Sequence, residues 1–202
     1  MNPGLAPASR TTDVLEAIHG RRAVRAYTPE PVGEAAIRLL LRAAVQAPSA
    51  MNAQPWGFVV VQDRERLRRW SEWAKAQLLA QSPTDPKSGR YRGLLADPAY
   101  DIFYDAGTLI VICAPQDSPW AQADCWLAAQ NLQLAAFALG LGTCCIGFAL
   151  GVLNAPEVKA ELSIPADMRA VAPLIVGTPT APPPPVPRAE PVVLSWIRPP
   201  RR

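Results

Sequence analysis

The sequence predicts a single domain in which α-helices cover a buried β-sheet, and three observations lead to this prediction. The chain has 202 residues, of which 50% are hydrophobic and 18% are charged, enough for one domain with a sizeable core. Three short runs rich in β-branched residues predict buried strands at 58–61, 108–113 and 170–176. Apolar or amphipathic segments of helical length lie between these runs, so helices are expected to cover the sheet.

Several classes of function are excluded by the charge and the histidine content. The net charge is +3 and no long basic face is visible, so nucleic acid is not an expected partner. His19 is the only histidine, which excludes a multi-histidine metal site, and its place on the first helix favours a surface position. No metal site is therefore expected.

The cysteines and the apolar spans suggest a cytoplasmic protein. Cys113, Cys125, Cys144 and Cys145 show no metal-ligand spacing, and buried reduced thiols are expected rather than disulfides. The first twelve residues contain no apolar stretch typical of a signal peptide. The long apolar span 126–153 is broken by polar residues and glycines, so we expect a buried helix and no membrane contact.

The N-terminal half of the chain predicts two helices before the first strand. Thr12-Asp13 is a candidate N-cap for a helix that ends at Gly20. Residues 21–27 are expected to be extended or turning. The second helix is expected over 34–46, with one apolar face formed by Ile37, Leu40, Leu41 and Ala44.

After the first strand, a basic helix is expected over 63–79, followed by a polar stretch at 81–101 without clear periodicity. Irregular excursions of this length in a compact domain are more often lids or binding loops than structural necessities. We therefore expect a lid-like excursion at about 66–104. Its aromatic members are Trp70, Trp73, Tyr91, Tyr100 and Phe103, each more typical of packing than of ligand contact when taken singly.

The C-terminal half predicts a long helix, a short helix and an extended tail. The span 121–139 is apolar nearly all round, so this helix should be central or buried in a subunit interface. Residues 144–148 are expected to lead into a turn, and 156–162 to form a short helix. Nine prolines follow Gly177, so the tail cannot be a central strand and is expected to be an arm lying on another subunit.

Two segments carry polar groups that could meet a ligand. Residues 47–56, APSAMNAQPW, join a helix to a strand and supply hydroxyl and amide groups from Ser49, Asn52 and Gln54. Good turn chemistry alone also accounts for this loop. Residues 21–25, RRAVR, are either a solvated basic face or an anion site, and the residues themselves leave both interpretations open.

With these segments in view, the chain resembles the FMN-dependent nitroreductase family. Residues 21–25 resemble its RRSxR segment, and 47–56 its APSxxNxQPW loop. Residues 102–106 resemble the lead-in to its second strand, and 130–147 its long helix and the turn after it. Val176-Gly177 followed by Arg188 matches the tail, so the resemblance covers roughly 12–198 in the family's order.

The resemblance implies an α+β, three-layer fold with a mostly antiparallel central sheet flanked by helices. It also implies an intertwined homodimer with FMN at the subunit interface, each FMN being touched by both chains. On this basis we expect a flexible N-terminus at 1–11 and one FMN-binding domain at 12–198. The arm at about 178–202 is expected to pack on the partner subunit.

The residues that the resemblance assigns to FMN lie in four places along the chain. Arg21 and Arg188 are implied at the phosphate, with Arg22 assisting, and Arg25 at the pyrimidine edge of the flavin. The loop is implied to contact the ring system, and the turn to donate a backbone N–H to flavin N5. The full expected set is Arg21, Arg22, Ala23, Arg25, Pro48, Ser49, Asn52, Gln54, Ile146, Gly147 and Arg188, with the five aromatic residues of the excursion in the substrate pocket.

The implied activity is reduction of a small electrophile, nitroaromatic or quinone-like, by NAD(P)H through ping-pong hydride transfer at flavin N5. No side chain is expected as general acid or base, because the cofactor carries the chemistry. The same fold also hosts dehydrogenation, dehalogenation and flavin fragmentation, and a flavin-binding dimer with little turnover is a further alternative. Ala23 stands where the family usually has serine, and Arg188 is a single tail arginine, which predicts weaker FMN retention.

Overall fold

The computed structural model describes residues 13–81 and 86–199, and the expected flexible N-terminus at 1–11 lies outside this part of the chain. Seven α-helices are present in it: α1 Val14–Gly20, α2 Glu34–Ala44, α3 Arg64–Gln81, α4 Pro86–Ala96, α5 Ala121–Ala138, α6 Leu150–Leu153 and α7 Pro156–Glu161. Four strands accompany them: β1 Gly57–Val61, β2 Thr108–Pro115, β3 Gly142–Cys145 and β4 Met168–Gly177. Short 3₁₀ turns occupy Ala50–Asn52 and Gly147–Ala149.

The four strands form one antiparallel sheet in the order β1-β2-β4-β3. Successive residues of β2 point to opposite faces, because side chains alternate along a strand. Leu109 and Val111 therefore enter one apolar cluster, and Ile110 and Ile112 enter the other. Both clusters are covered by helices, which explains why β2 is apolar at nearly every position although the sheet is antiparallel.

Helices cover both faces of the sheet and give three layers. Leu40 of α2 and Leu132 of α5 are fully buried in the cluster on one face. Trp70 of α3 and Leu153 of α6 are fully buried in the cluster on the other. The predicted α+β fold, with an antiparallel sheet flanked by helices, is confirmed.

Two elements correct the expectations from sequence. The stretch 81–101, expected to be irregular, contains α4, whose Pro86–Ala96 sequence has almost no apolar periodicity to announce a helix. Residues 144–148, expected only to lead into a turn, follow β3, a strand too short to show an alternating pattern. None of the helices between 13 and 81 or between 86 and 199 is long and apolar enough to cross a bilayer.

The tail beyond β4 contains no helix and no named strand among its described residues, and its apolar side chains are turned to solvent. Val192, Leu194, Trp196 and Ile197 are 84%, 94%, 73% and 92% exposed, respectively. On α5, Trp126 and Leu127 are also partly exposed, at 38% and 46%. Large apolar side chains left uncovered in this way are typical of a surface that meets another protein.

Candidate functional site

The arginine segment is fixed along the free edge of β3. The Val24 N–H donates to the Thr143 carbonyl at 3.0 Å, and Ala23 forms a parallel bridge with Thr143. Val24 is buried and packs against Gly142, where an added Cβ would lie 2.7 Å from a Val24 methyl. Because side chains alternate in extended backbone, burying Val24 turns Ala23 and Arg25 outward.

Four arginines meet at one cavity. The cavity has a volume of about 600 Å³ and is lined by Arg21, Arg22, Arg25 and Arg188, together with 180–184 and Val186 of the tail. No acidic residue is among the described residues that line it. None of the ion pairs formed within 13–81 and 86–199 involves these four arginines. We call this space the arginine cavity, and its guanidinium groups offer several unopposed positive charges to an anion.

Two of these arginines have additional partners in the chain. The Arg21 guanidinium donates to Gln133 Oε1 at 3.4 Å. Arg22 Nη1 donates to the His19 and Arg21 carbonyls at 2.6 and 2.8 Å, so this side chain braces the end of α1. Arg22 Nε is buried and has no hydrogen-bond partner, which leaves one donor unsatisfied beside the arginine cavity.

A second cavity adjoins the first at Arg25. It has a volume of about 400 Å³, and we call it the aromatic cavity because four of its lining residues carry aromatic rings: Tyr91, Tyr100, Tyr104 and Phe148. Leu94, Ile102, Cys144, Cys145, Ile146 and Gly147 complete the lining with Arg25. The Tyr91 and Phe148 rings meet edge to face with centroids 5.5 Å apart, which joins α4 to the turn after β3.

Arg25 faces a pair of tyrosines in the aromatic cavity. Its guanidinium carbon lies 5.9 Å from the centroid of the Tyr104 ring, within range of a cation–π contact. The Tyr100 and Tyr104 hydroxyls are 3.2 Å apart, and their rings form an edge-to-face pair. Burial raises the pKa of Tyr100 above its ordinary value and the hydrogen bond with Tyr104 adds to this, so Tyr100 stays neutral at physiological pH.

The turn after β3 offers backbone N–H groups to the same cavity. Gly147 opens a short helical turn, and the first N–H groups of a helix have no acceptor within it. Nothing lies within 4 Å of the position that a Cβ on Gly147 would occupy, so this face of the turn is open. Burial raises the pKa of the neighbouring Cys144 thiol, and the positive charge of Arg25 acts in the opposite direction.

The loop 47–56 is held in a strained conformation. Met51, Asn52 and Gln54 have φ of 53°, 54° and 47°, a left-handed region that costs L-residues of this kind about 1 kcal/mol each. The Gln54 N–H donates to Ser49 Oγ at 3.0 Å, and the Ala50 N–H donates to the buried Asp124 carboxylate at 3.2 Å. Strain of this kind concentrates at functional sites.

The structure does not bring this loop to the arginine segment within one chain. The loop is attached to α5 at Asp124, whereas Arg21 is attached to the same helix at Gln133. Nine helical positions separate these two anchors, about 14 Å along the helix axis. Pro48, Asn52 and Gln54 are exposed and turn away from the core, so their predicted contact with a ligand stays a prediction.

The five aromatic residues predicted for the substrate pocket fall into two groups. Tyr91 and Tyr100 line the aromatic cavity. Trp70 and Phe103 are fully buried in the core, and Trp73 packs against the same core cluster. Trp70 and Phe103 therefore do not line the predicted pocket, because their rings are enclosed in the core, whereas the contact predicted for the half-buried Trp73 stays a prediction.

Sequence reasoning missed six residues that line the aromatic cavity: Leu94, Ile102, Tyr104, Cys144, Cys145 and Phe148. Tyr104 belongs to the lead-in at 102–106, and its φ of 53° shows that it sits in a strained turn. Cys145 and Phe148 flank the predicted Ile146-Gly147 pair. They belong to no polar motif of the chain, so no sequence pattern pointed to them. Among the described residues, no group of three or more His, Cys, Asp or Glu side chains could hold a metal ion.

The sequence and the fold are those of a known family of oxidoreductases. The family model described as "Nitroreductase family" matches residues 18–178. A putative NADH dehydrogenase/NAD(P)H nitroreductase of Archaeoglobus fulgidus is 32% identical over 168 residues, covering 83% of this chain and 86% of that protein. The chain therefore belongs to the nitroreductase family, as its motifs predict.

Solved structures agree with this assignment. A nitroreductase with bound FMN from Bacteroides fragilis superposes with a TM-score of 0.74 at 28% identity, covering 93% of this chain and 98% of that one. An iodotyrosine deiodinase bound to FMN and 3-iodo-L-tyrosine superposes with a TM-score of 0.72 at 26% identity, covering 90% and 97%. Both reductive and dehalogenating enzymes thus share this fold.

Proposed function

We propose that the chain is an FMN-dependent oxidoreductase that uses NAD(P)H to reduce a small electrophile, such as a nitroaromatic or a quinone. The observation that carries this proposal is the junction of the arginine cavity with the aromatic cavity at Arg25. A phosphate monoester carries close to two negative charges at pH 7 and favours several guanidinium donors. A planar ring system favours aromatic walls. FMN carries both groups on one molecule.

The residues of the site fit this cofactor. Arg21 and Arg188, which line the arginine cavity, would hold the phosphate, with Arg22 beside them in the same lining. Ala23 offers no hydroxyl to that phosphate, so retention depends on the guanidinium groups. Arg25 lines both cavities, and in this proposal it would lie at the pyrimidine edge of the ring system.

Bound FMN supplies the two-electron chemistry, and the chain supplies binding, orientation and electrostatics. Arg25 places a permanent cation at the pyrimidine edge, where negative charge gathers on reduction, and this raises the reduction potential. The backbone N–H of Gly147, at the start of the helical turn after β3, would donate to the ring system in this proposal. The aromatic residues exclude water from the space that the nicotinamide and the electron acceptor occupy in turn.

A second copy of the chain completes the site in this proposal. The strained loop presents Ser49, Asn52 and Gln54 away from its own Arg21–Arg25 segment, and a partner subunit brings a second loop to each FMN. The exposed apolar side chains of α5 and of the tail are the surfaces that bury against the partner. The functional unit is then a homodimer with two sites.

The charge of the aromatic cavity distinguishes between substrate classes. Iodotyrosine is an amino acid, and recognition of its ammonium group calls for a carboxylate. No carboxylate is among the described residues that line the aromatic cavity, and Arg25 is the only charged side chain of that lining. This favours neutral flat acceptors over dehalogenation of an amino acid.

The proposal is tested by loading the purified protein with excess FMN, removing unbound flavin and recording the visible spectrum. We expect about one FMN per chain, bleaching by NADH or NADPH without oxygen, and recovery of the oxidised spectrum when a quinone or nitroaromatic is added. Failure to retain flavin at any loading would show that the arginine cavity is not a phosphate site. Retained FMN with no turnover by any donor or acceptor would favour the flavin-binding dimer instead.

Arg188→Ala and Arg25→Ala separate the two parts of the assigned site. Loss of a charge-assisted hydrogen bond to phosphate raises the dissociation constant of FMN about tenfold or more in Arg188→Ala. Arg25→Ala should lower the reduction potential of the bound flavin in addition to weakening its binding. Arg38→Ala is the matched control, because Arg38 is an exposed arginine of α2 paired with Glu34, and it should leave both quantities unchanged. Wild-type values in Arg188→Ala or Arg25→Ala would remove that residue from the site.

A further inference from the structure

A buried lysine lies behind the aromatic cavity. The side chain of Lys75, on α3, is 5% exposed. Its Nζ donates to the Asp97 carbonyl at 3.0 Å, to the Tyr100 carbonyl at 2.9 Å and to Glu72 Oε1 at 3.0 Å. A buried ammonium group is costly unless its three hydrogens are bonded, and all three acceptors are present here.

One turn earlier on the same face of α3, Ser71 adds another attachment. Ser71 is 1% exposed, and its hydroxyl oxygen accepts the N–H of Ile102 at 3.0 Å. Residues four apart share one face of a helix, so Ser71 and Lys75 act on the same stretch of chain. Together they attach residues 97–102 to α3 at three backbone groups, Asp97 O, Tyr100 O and Ile102 N.

The attached stretch carries one wall of the aromatic cavity. Tyr100, Ile102 and Tyr104 all line that cavity. Tyr104 has a φ of 53°, and Asp101 stabilises its turn by accepting the N–H groups of Phe103 at 3.0 Å and Asp105 at 2.8 Å. The wall is therefore held in a strained conformation by buried polar groups and not by apolar packing alone.

The wall leads directly to Arg25. From Lys75 the contacts pass to the Tyr100 carbonyl, then from the Tyr100 hydroxyl to that of Tyr104 at 3.2 Å, and from the Tyr104 ring to the guanidinium. Both tyrosine rings meet edge to face at 5.7 Å and 78°. A shift of the 97–102 stretch would move both rings, because the hydrogen bond and the ring contact join them.

We propose that Lys75 is a positioning residue of the substrate site, which sets the Tyr100–Tyr104 wall against Arg25 and so determines how flat acceptors bind. It touches neither cofactor nor substrate and acts through the two tyrosines. This inference rests on the proposed function for the identity of the cavity's occupants. Glu72 is 66% exposed, so its ion pair with Lys75 adds little stability, and the two backbone carbonyls that Lys75 holds on 97–100 explain why a lysine occupies this buried position.

The test uses Lys75→Met in the FMN-loaded protein, with 1,4-benzoquinone as acceptor. Methionine fills a similar volume but donates no hydrogen bond. We expect the KM for the quinone to rise about tenfold while kcat and the dissociation constant of FMN change less than threefold. Lys159→Met is the matched control, because Lys159 also donates to a backbone carbonyl, that of Ala166, but is exposed and lies outside both cavities.

A second readout does not need flavin. Amide hydrogen exchange in the FMN-free Lys75→Met protein should be faster at 97–104 and unchanged along β2 and β4. A lower melting temperature with wild-type KM and wild-type exchange at 97–104 would overturn the proposal and leave Lys75 a merely structural residue. Absence of FMN retention in the wild type would overturn the proposed function instead. The exchange rates at 97–104 would still test whether Lys75 holds this stretch against α3.

Two further variants decide the matter if Lys75→Met does not fold. Tyr100→Phe and Tyr104→Phe each remove one hydroxyl and leave the backbone hydrogen bonds of Lys75 intact. Each should raise the KM for benzoquinone severalfold without a comparable change in kcat. Wild-type KM values in both phenylalanine variants would overturn the proposal.

Discussion

At the scale of single residues, burial shifts the pH at which ionisable side chains of this chain release their protons. Cys113 lies on β2 and is 2% exposed. Burial raises the pKa of its thiol from 9.0 to about 11. Because the thiolate would be stranded in an apolar layer, the thiol stays protonated in the folded protein well above neutral pH.

This shift makes stability depend on alkaline pH. Above pH 9 the unfolded chain releases a proton from Cys113 that the folded chain retains, so the free energy of unfolding falls as the pH rises. As the pH rises from below 9 to above 11, the loss from this thiol approaches about 3 kcal/mol, because the pKa values in the two states differ by about two units. Urea unfolding at pH 8, 9, 10 and 11 measures it.

Cys113→Ala provides the comparison, because it lowers stability at every pH but removes this thiol's share of the alkaline loss. The slope of unfolding free energy against pH above 9 should therefore be shallower in the variant. Equal slopes in the two proteins would show that another group controls the alkaline limb.

The sequence predicted which residues belong to a motif more readily than whether a side chain faces a ligand or the core. The arginines 21, 25 and 188 were identified by motif, and the structure places all three at one cavity. Trp70 and Phe103 were misplaced, because an aromatic residue near a polar stretch looks the same in sequence whether its ring faces a ligand or the core. Only the packing of α3 against the sheet separates the two cases.

At the scale of elements, the sheet contains one irregularity with a specific support. Between β2 and β4 the register shifts after the pair Ile112–Ala172, which leaves Val171 as an extra residue on β4. The side-chain amide of Asn154 makes two hydrogen bonds to Ala170, the residue of β4 next to Val171. Its Nδ2 donates to the Ala170 carbonyl at 3.0 Å, and its Oδ1 accepts the Ala170 N–H at 2.9 Å. It also donates to the Leu150 carbonyl at 2.9 Å.

Asn154→Ala should therefore destabilise the protein by about 1–3 kcal/mol, because it leaves polar groups of a nearly buried strand residue unsatisfied. Asn131→Ala is the matched control, since its side chain makes a single, longer bond of 3.3 Å to the Ala43 carbonyl. The control should lose less than about 1 kcal/mol. Equal losses in the free energy of unfolding, measured by chemical denaturation, would show that the extra residue at Val171 does not depend on Asn154.

The elements predicted from sequence were those with strong periodicity. The strands at 58–61, 108–113 and 170–176 and the helices around 34–46, 63–79 and 121–139 all appear, with bounds shifted by a few residues. The helix α4 and the strand β3 were missed, since neither carries a periodic apolar pattern. Tertiary contacts account for both: Tyr91 of α4 meets Phe148, and β3 pairs with β4.

At the scale of the whole molecule, the apolar tail is the feature that a single chain leaves unexplained. Leu194 and Trp196 are 94% and 73% exposed. We expect the double substitution Leu194→Ser with Trp196→Ser to raise the dissociation constant of the proposed homodimer at least tenfold, because both side chains would lose the apolar contact proposed with the partner. Sedimentation equilibrium across a range of concentrations measures it.

Val14→Ser, at an exposed apolar position on α1, is the control and should leave dimerisation unchanged. A wild-type protein that stays monomeric at every concentration would contradict the dimer itself. A double variant that dimerises as tightly as the wild type would contradict the role of the tail.

The sheet order also determines when the site can form during folding. β2 pairs with β4 across more than fifty residues of intervening chain, and such distant pairings form slowly. The arginine cavity comes later still, because its members at 21 and 188 lie on opposite sides of the sheet-forming sequence and meet beside β3 only after β3 has paired with β4. In a refolding experiment, the helical circular dichroism signal would therefore return first and FMN binding would return last. The visible spectrum of bound FMN would then report the final step of folding.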